Sequence, residues 1–413
     1  MRNVCLLALV SSALASAACD EDAGGDSQPA GFANSATGPC MQNAVATCDC
    51  PDGTRSSQGC LPTGSWGACF CDDVAGAGGG GDGGGGSGGA ANGQPPPAMN
   101  GGDQGTGGGP PPEQTTGGEG RQRVIAPDGT LLYGPHGSAI NARDGATGQQ
   151  ELLLAKIAQQ PVASWMTGYS GNIESSVRSI VTAAQGAGGV PVLVAYNIPG
   201  RDCGNYSAGG AGSADAYRTW IDGFAAGIGA LPALVILEPD AITLNDCLDD
   251  ALKQERYDML KHAIDAFAAQ PATAVYLDGG HSGWLSTGEL TARLELAGVA
   301  SARGFSINTS NFQTTTNSIT YGDTVAGNLG GAHYLIDTSR NGLGPYDGGG
   351  ESWCNPPGRA LGEAPTTTTG QPQVDAMVWV KPPGESDGTC QGGPPAGQFW
   401  TQYAVGLAER ASW

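Results

Sequence analysis

Residues 121–413 predict an α/β fold, a barrel of parallel β-strands wrapped by helices. Three observations carry that expectation. Seven short apolar runs punctuate the stretch, segments of helical periodicity lie between them, and the runs are almost wholly apolar instead of alternating. Strands that alternate with helices lie parallel, and a run apolar at nearly every position is a strand buried on both faces. Seven such units over about 290 residues suit a barrel better than an open sheet. No Gly-rich phosphate loop follows any of the runs, which argues against a dinucleotide-binding sheet.

In chain order the expected strands are PVASWM (161–166), VPVLVAYN (190–197), PALVILEP (232–239), TAVYLDGG (273–280), GFSINTS (304–310), AHYLIDTS (332–339) and DAMVWVKPP (375–383). Between them, 214–231, 249–269 and 290–300 repeat their apolar residues at helical spacing.

The preceding 120 residues have a different character. Residues 1–18 pair one Arg with an apolar run from Val4 to Leu14 and small residues after it, the pattern of a secretory signal. Ser16-Ala17-Ala18-Cys19 resembles a bacterial lipoprotein cleavage site, so the choice between a lipid anchor at Cys19 and free secretion stays open. Residues 31–73 hold Cys40, Cys48, Cys50, Cys60, Cys69 and Cys71. So small a segment cannot build a core from apolar burial alone, and with no His among the cysteines a disulfide-stapled module is expected instead of a metal site. Trp66 suits its small core better than an exposed sugar-stacking face. Residues 74–120, mostly Gly, Pro, Ser, Asn and Gln, read as a disordered linker with a reach of about 35–40 Å. A tethered enzyme acting on a substrate that cannot diffuse to it would use such a layout.

The chain carries a net charge of −21 with few Lys and Arg, a poor partner for nucleic acid or anionic lipid. No run after the signal is long enough to span a bilayer, and the chain reads as an exported monomer.

The chemistry gathers where the strands end. VLVAYNIPGRDC leads to Asp202, LVILEPD to Asp240, AVYLDGGH to Asp278, and VWVKPPGESDG to Asp387, with Lys381 and Glu385 nearby. The carboxyl-terminal edge of a parallel barrel is where sites are built, and a buried strand is a rigid mount that can hold a carboxyl at a raised pKa. One such acid would often be a helix cap or the partner of Arg201 or Lys381. Four at matching ends, with no cation for each, point to catalysis, and two separated carboxyl groups are the apparatus of glycosidic hydrolysis. A serine hydrolase would need a G-x-S-x-G elbow, which this region lacks. A metal hydrolase would need spaced His ligands, whereas His136, His262, His281 and His333 are scattered. No cofactor or metal is expected.

The blocks YNIPGRDCGNYSAGG, ILEPDAI, YLDGGHSGWL, IDTSRNG, WCNPPGR and WVKPPGESDGTC resemble, in order, the signatures of family 6 glycoside hydrolases, the cellulases. The resemblance implies a distorted seven-stranded α/β barrel that hydrolyses β-1,4-glucan with inversion. It implies Asp240 as general acid, Asp202 as the group that helps hold its proton and the water network, and Asp387 as the residue often proposed as base. It implies Asp278 as a further acid, structural or sugar-binding, Tyr196 beside the reacting sugar and Ser207 in a mobile loop. Trp165, Trp284, Trp353, Lys381 and Glu385 match sugar-contacting positions, while Trp379, inside a strand, belongs to the core. The family's disulfides would be Cys203–Cys247 and Cys354–Cys390, each pinning a loop that carries an acid.

A neighbouring carboxylate, Asp202, would raise the Asp240 pKa by repulsion, and inversion needs room for a water, about 6.5–9.5 Å between acid and base carboxyls. Trp284 is not followed by the second Trp of many exo-acting members, and Cys390 follows Asp387 after only Gly and Thr. Short loops leave an open cleft, so an endoglucanase is expected, with a cellobiohydrolase or a catalytically silent glucan-binding surface protein as alternatives.

Overall fold

The computed structural model describes residues 45–49, 55–59, 125–204, 209–349 and 351–413. Two compact units divide at Gly76/Ala77. In the first, β1 (Val45–Asp49) and β2 (Arg55–Gly59) form an antiparallel pair with Val45 opposite Gly59. The six expected module cysteines fall here; their pairing, the signal, Cys19 and the linker lie outside the described residues.

The second unit is a singly wound parallel sheet. Its strands are β3 (Leu132–Tyr133), β4 (Ser164–Met166), β5 (Val190–Ala195), β6 (Ala233–Leu237), β7 (Thr273–Asp278), β8 (Gly304–Ile307), β9 (His333–Asp337) and β10 (Val374–Val378). Strands β5 to β10 pair in sequence order, and β4 pairs with the upper half of β5. The seven expected strands are all present. The short β3, which the sequence reading passes over, pairs with the first residues of β5, Val190 and Pro191. The barrel is a curled half-barrel: β4 and β10 share no ladder, and the seam between them is bridged by Ala163 N–H donating to Trp379 O at 2.9 Å and the Trp165 indole N–H donating to Val380 O at 2.8 Å.

Alternation along each strand explains why the runs are apolar throughout. Val192, Val194, Leu234, Ile236, Ala274, Leu335, Ala376 and Val378 fill the inside. Leu193, Ala195, Val235, Leu237, Val275, Leu277, Tyr334 and Ile336 face outward under helices. These helices are α3 (Ile173–Gly186), α4 (Ala214–Ile228), α5 (Asp250–Ala268), α6 (Thr287–Leu296) and α7 (Thr315–Asn328). Side-chain caps fix where they begin: Asn172, Ser213, Asp249, Ser286 and Thr314 each accept a backbone N–H of the first turn. The sequence pattern finds α4, α5 and α6 within a few residues. It passes over α3 and α7, the second rich in Thr, Asn and Gly, whose helix propensity is low. The seam is backed by α1 (Gly137–Asp144), α2 (Gln149–Ala158) and α8 (Thr401–Glu409), whose Leu154, Ile157 and Leu407 pack with the buried Trp379. Trp379 is core, as expected.

The opposite end of the barrel is fastened by charge. Asp375 of β10 accepts from Arg303 at 2.7 and 2.9 Å, from the Tyr276 hydroxyl of β7 at 2.7 Å, and bonds His333 Nδ1 at 2.8 Å. Burial alone would raise the Asp375 pKa, but the Arg303 and His333 bonds outweigh it and hold it at about 2. A depressed folded pKa gives stability that is present above the unfolded value near 4 and is lost as pH falls through about 2. Asp375→Asn is therefore expected to lower unfolding free energy near pH 7 by at least about 2 kcal/mol, and to flatten its decline between about pH 4 and pH 2. Urea unfolding across that range measures both.

Candidate active site

In β5, β6, β7 and β9 the inward-facing register turns from apolar to polar at the carboxyl edge. Tyr196 follows β5, Asp278 ends β7, and Asp337 ends β9. Beyond β6, Glu238 and Asp240 leave the strand with φ of 50° and 70°. Among the described residues, the other non-glycine positions in this left-handed region are Asp202, Cys203, Asn308, Ser310, Asn355 and Gln391. Non-glycine residues rarely adopt this conformation, and here all eight follow carboxyl ends of strands or sit in the loops above them. Such strain persists where surrounding bonds over-determine it, and it clusters at active sites.

Those bonds are visible. Asp278 is buried, and its Oδ1 accepts the N–H of Asp240 at 3.2 Å and of Gly280 at 3.1 Å. It therefore shapes the Asp240 turn from beneath. Asp240, half-buried, has a pKa raised to about 8; burial is the largest cause, followed by the charge of Asp278 and then that of Asp202. The expectation that Asp202 raises it is thus corrected in rank: withdrawal from water dominates, and Asp278 is the leading carboxylate. Asp202 sits half-buried in a 3₁₀ turn, Asp202–Gly204.

Glu238, the other carboxylate of EPD, has no exposure and no access to substrate. Its oxygens accept the N–H groups of Asn197 and Ile198 at 3.0 Å, fixing the chain just after Tyr196. Burial raises its pKa to about 7. Two carboxylates leave β6 because they face different ways: Glu238 grips the neighbouring strand, and Asp240 lies in the site.

Asp387 corrects a second expectation. It does have cationic partners: Arg340 Nη1 is 2.7 Å from Oδ2 and Lys381 Nζ 3.4 Å from Oδ1, while Asn355 N–H donates to Oδ2 at 2.9 Å. It lies on a loop well past β10. Burial would raise its pKa, but Arg340 and Lys381 hold it below the ordinary carboxylate value. Burial pushes neighbouring Glu385 up to about 7, with Lys381 opposing and Asp387 adding to the rise. Lys381 N–H donates to buried Asp337 at 3.0 Å, and Asp337 also accepts from Ser310 N and Ser339 N at 2.9 Å. Asp337, Arg340, Asn355 and Glu238 are site-building residues that the sequence reading did not assign, although Glu238 lies in EPD and Asp337 and Arg340 in IDTSRNG.

Tyr196 meets Trp165 edge-to-face with ring centroids 5.2 Å apart, and the Arg201 guanidinium lies 4.3 Å over the Tyr196 ring. Trp284, beside His281, is 39% exposed and Trp353 41% exposed, so both indoles present faces to solvent. Ser207 lies outside the described residues. Cys203–Cys247 and Cys354–Cys390 are disulfides, with Cα–Cα distances of 5.9 and 6.1 Å. Glu351, Cys354 and Cys390 approach one another, but both sulfurs are spent in the disulfide and cannot ligate a metal.

A parallel half-barrel whose carboxyl edge carries one protonated carboxyl, one held ionised and exposed indoles has the parts of a sugar-polymer hydrolase. The sequence profile described as Glycosyl hydrolases family 6 matches residues 135–411. The chain belongs to that family. It is 42% identical over 290 residues to Endoglucanase A of Cellulomonas fimi, covering 70% of this chain and 62% of that protein's own length. It is 45% identical over 262 residues to Endoglucanase 1 of Streptomyces sp. (strain KSM-9), covering 62% of this chain and 71% of that one. The solved endoglucanase Cel6 from Mycobacterium tuberculosis, in complex with methyl-cellobiosyl-4-deoxy-4-thio-β-D-cellobioside, superimposes with a TM-score of 0.66 at 44% identity, over 70% of this chain and 99% of that one.

A carboxyl kept protonated by burial costs stability. The unfolded state releases the Asp240 proton near pH 4, and the folded state retains it to about 8, so this group's contribution falls as pH rises between those values. Asp240→Asn is expected to be more stable than the parent at pH 7, by up to about 4 kcal/mol, and nearly equal to it at pH 4. Urea midpoints at the two pH values compare them.

Proposed function

We propose that the protein is an endo-β-1,4-glucanase that cleaves internal bonds of cellulose or a related β-glucan with inversion. The observation that carries the reading is the placement of the Asp240 carboxyl at the mouth of a buried strand with Asp278 against its turn, where burial pushes its pKa up to about 8. A departing glycosidic oxygen needs a proton in the transition state, and an acid with a pKa near the working pH supplies it best. Asp202 serves the water network, and Asp387, held ionised by Arg340 and Lys381, is the second catalytic carboxylate. Because Arg340 and Lys381 hold Asp387 below the usual range, it is a weak proton acceptor and suits orienting and polarising the attacking water more than full abstraction.

Tyr196, Trp165, Trp284, Trp353, Lys381 and Glu385 bind the sugar chain, the indoles by stacking on apolar ring faces. The endo reading is supported by the endoglucanase relatives and by compact loops: after Asp387 the chain closes on itself, with Gly397 N–H donating to Ser386 O at 2.9 Å, and enters α8 at Thr401.

This chain is read as an exported monomer, either free or anchored through lipid at Cys19, with the six-cysteine module and linker ahead of the catalytic domain. No helix among the described residues is long and apolar enough to cross a membrane.

On a soluble β-1,4-glucan, the enzyme should lower viscosity well before reducing ends accumulate, and NMR should show the new ends as the α anomer. Asp240→Asn should cut turnover at least about 10³-fold. Release of β-configured product, or near-parental activity of that variant, would overturn the assignment.

A further inference from the structure

Asp202 and Asp240 stand on separate loops, one after β5 and one after β6. Their charges reach each other, since Asp202 contributes to the raised pKa of Asp240. Something must fix the gap, because both residues sit in strained turns that would otherwise relax. The Glu238 clamp holds only the start of the first loop, at Asn197 and Ile198. The disulfide Cys203–Cys247 ties the far ends. Between these two attachments lies one side chain from neither loop.

Arg256 projects from the first turns of α5 and is 2% exposed. Its Nη2 donates to Pro199 O at 3.1 Å and Gly200 O at 2.9 Å, three and two residues before Asp202. Its Nη1 donates to Leu244 O at 3.3 Å and Ala241 O at 3.5 Å, beside Asp240. One planar guanidinium thus spans four carbonyls, two on each acid-bearing loop. Its charge is offset by nearby Glu238 and not by a salt bridge, and Tyr257 is the other polarisable group facing it. Both terminal nitrogens of the buried cation are occupied in this way, while the buried Nε has no partner; a fork of fixed geometry is suited to holding two backbones at a set separation.

We infer that Arg256 is a positioning residue for the glucan hydrolysis proposed above: it sets the spacing of the Asp202 and Asp240 loops, acting in parallel with the Cys203–Cys247 disulfide. It touches no substrate. Of the two carboxylates that act on Asp240, Asp202 lies on the loop that Arg256 holds, whereas Asp278 on β7 is bonded to the Asp240 and Gly280 amides and has no contact with Arg256.

The test compares the full chain with Arg256→Met, Arg256→Lys, the pair Cys203→Ser/Cys247→Ser, and the combination of the Met and Ser changes. Turnover and KM are read on a soluble β-1,4-glucan across pH, at a temperature where each variant's circular dichroism is native. Misplacement of about 1 Å in a catalytic constellation costs on the order of 100-fold. Arg256→Met should lower kcat about 10- to 100-fold with KM within about threefold, and should move the alkaline limb of the profile to lower pH. Arg256→Lys, which keeps the charge but not the fork, should lie between. The combined variant should lose more than the product of its parts, because each tether covers for the other. Unchanged kcat and pH limb in a less stable Arg256→Met or Arg256→Lys, or simple multiplicativity in the combination, would overturn the inference. If Arg256→Met does not fold, Arg256→Lys alone decides. An inactive parent chain would refute the functional reading, whereas an active parent with indifferent variants would refute only the role of Arg256.

Discussion

A carboxylic acid withdrawn from water is the condition on which this site depends. Leu234, Val235, Ile236 and Leu237 have essentially no exposure, so the end of β6 is an immobile apolar mount. Asp240 is delivered from that mount into a left-handed turn, where Asp278 holds its amide and adds negative potential. Desolvation penalises only the charged form, so the proton stays on. The bonds around it serve to keep that geometry: Glu238 grips the end of β5, Arg256 bridges the loops, and Cys203–Cys247 closes them. The buried charges here have most of their oxygens and donors occupied, largely by backbone groups, with Arg256 Nε and Arg340 Nε left without partners.

Across the same edge, Asp387 is treated in the opposite way. It is equally withdrawn from solvent, yet Arg340 and Lys381 keep it ionised. Two carboxyl groups whose environments push them apart in acidity acquire different roles from identical chemistry. Asp337 links the two halves, receiving amides from the β8 and β10 edges as well as from its own loop.

Much of the fold was legible in the sequence because burial on both faces writes itself as unbroken aliphatic runs. Seven strands and the helices α4, α5 and α6 follow from that pattern and from helical periodicity. The two-residue β3 carries no pattern to read, and α7 is built from residues that favour it weakly. For the site, the acids at strand ends were visible because carboxylates are conspicuous after apolar runs. What could not be read was the sign of each environment. Arg340 stands far from Asp387 in the chain, Asp278 looks like Asp240 until its Oδ1 is seen to be taken by two amides, and Arg256 looks like any polar position on a helix. Pairings of that kind are set by register and loop geometry, which residue order does not display.

The most direct test of this account is the titration of Asp240 itself, followed by ¹³C NMR of carboxyl-labelled aspartate and assigned by comparison with Asp240→Asn. A resonance that titrates close to pH 8 in the folded enzyme is the expected result. A carboxyl at that position already ionised by about pH 5, close to its ordinary range, would contradict it.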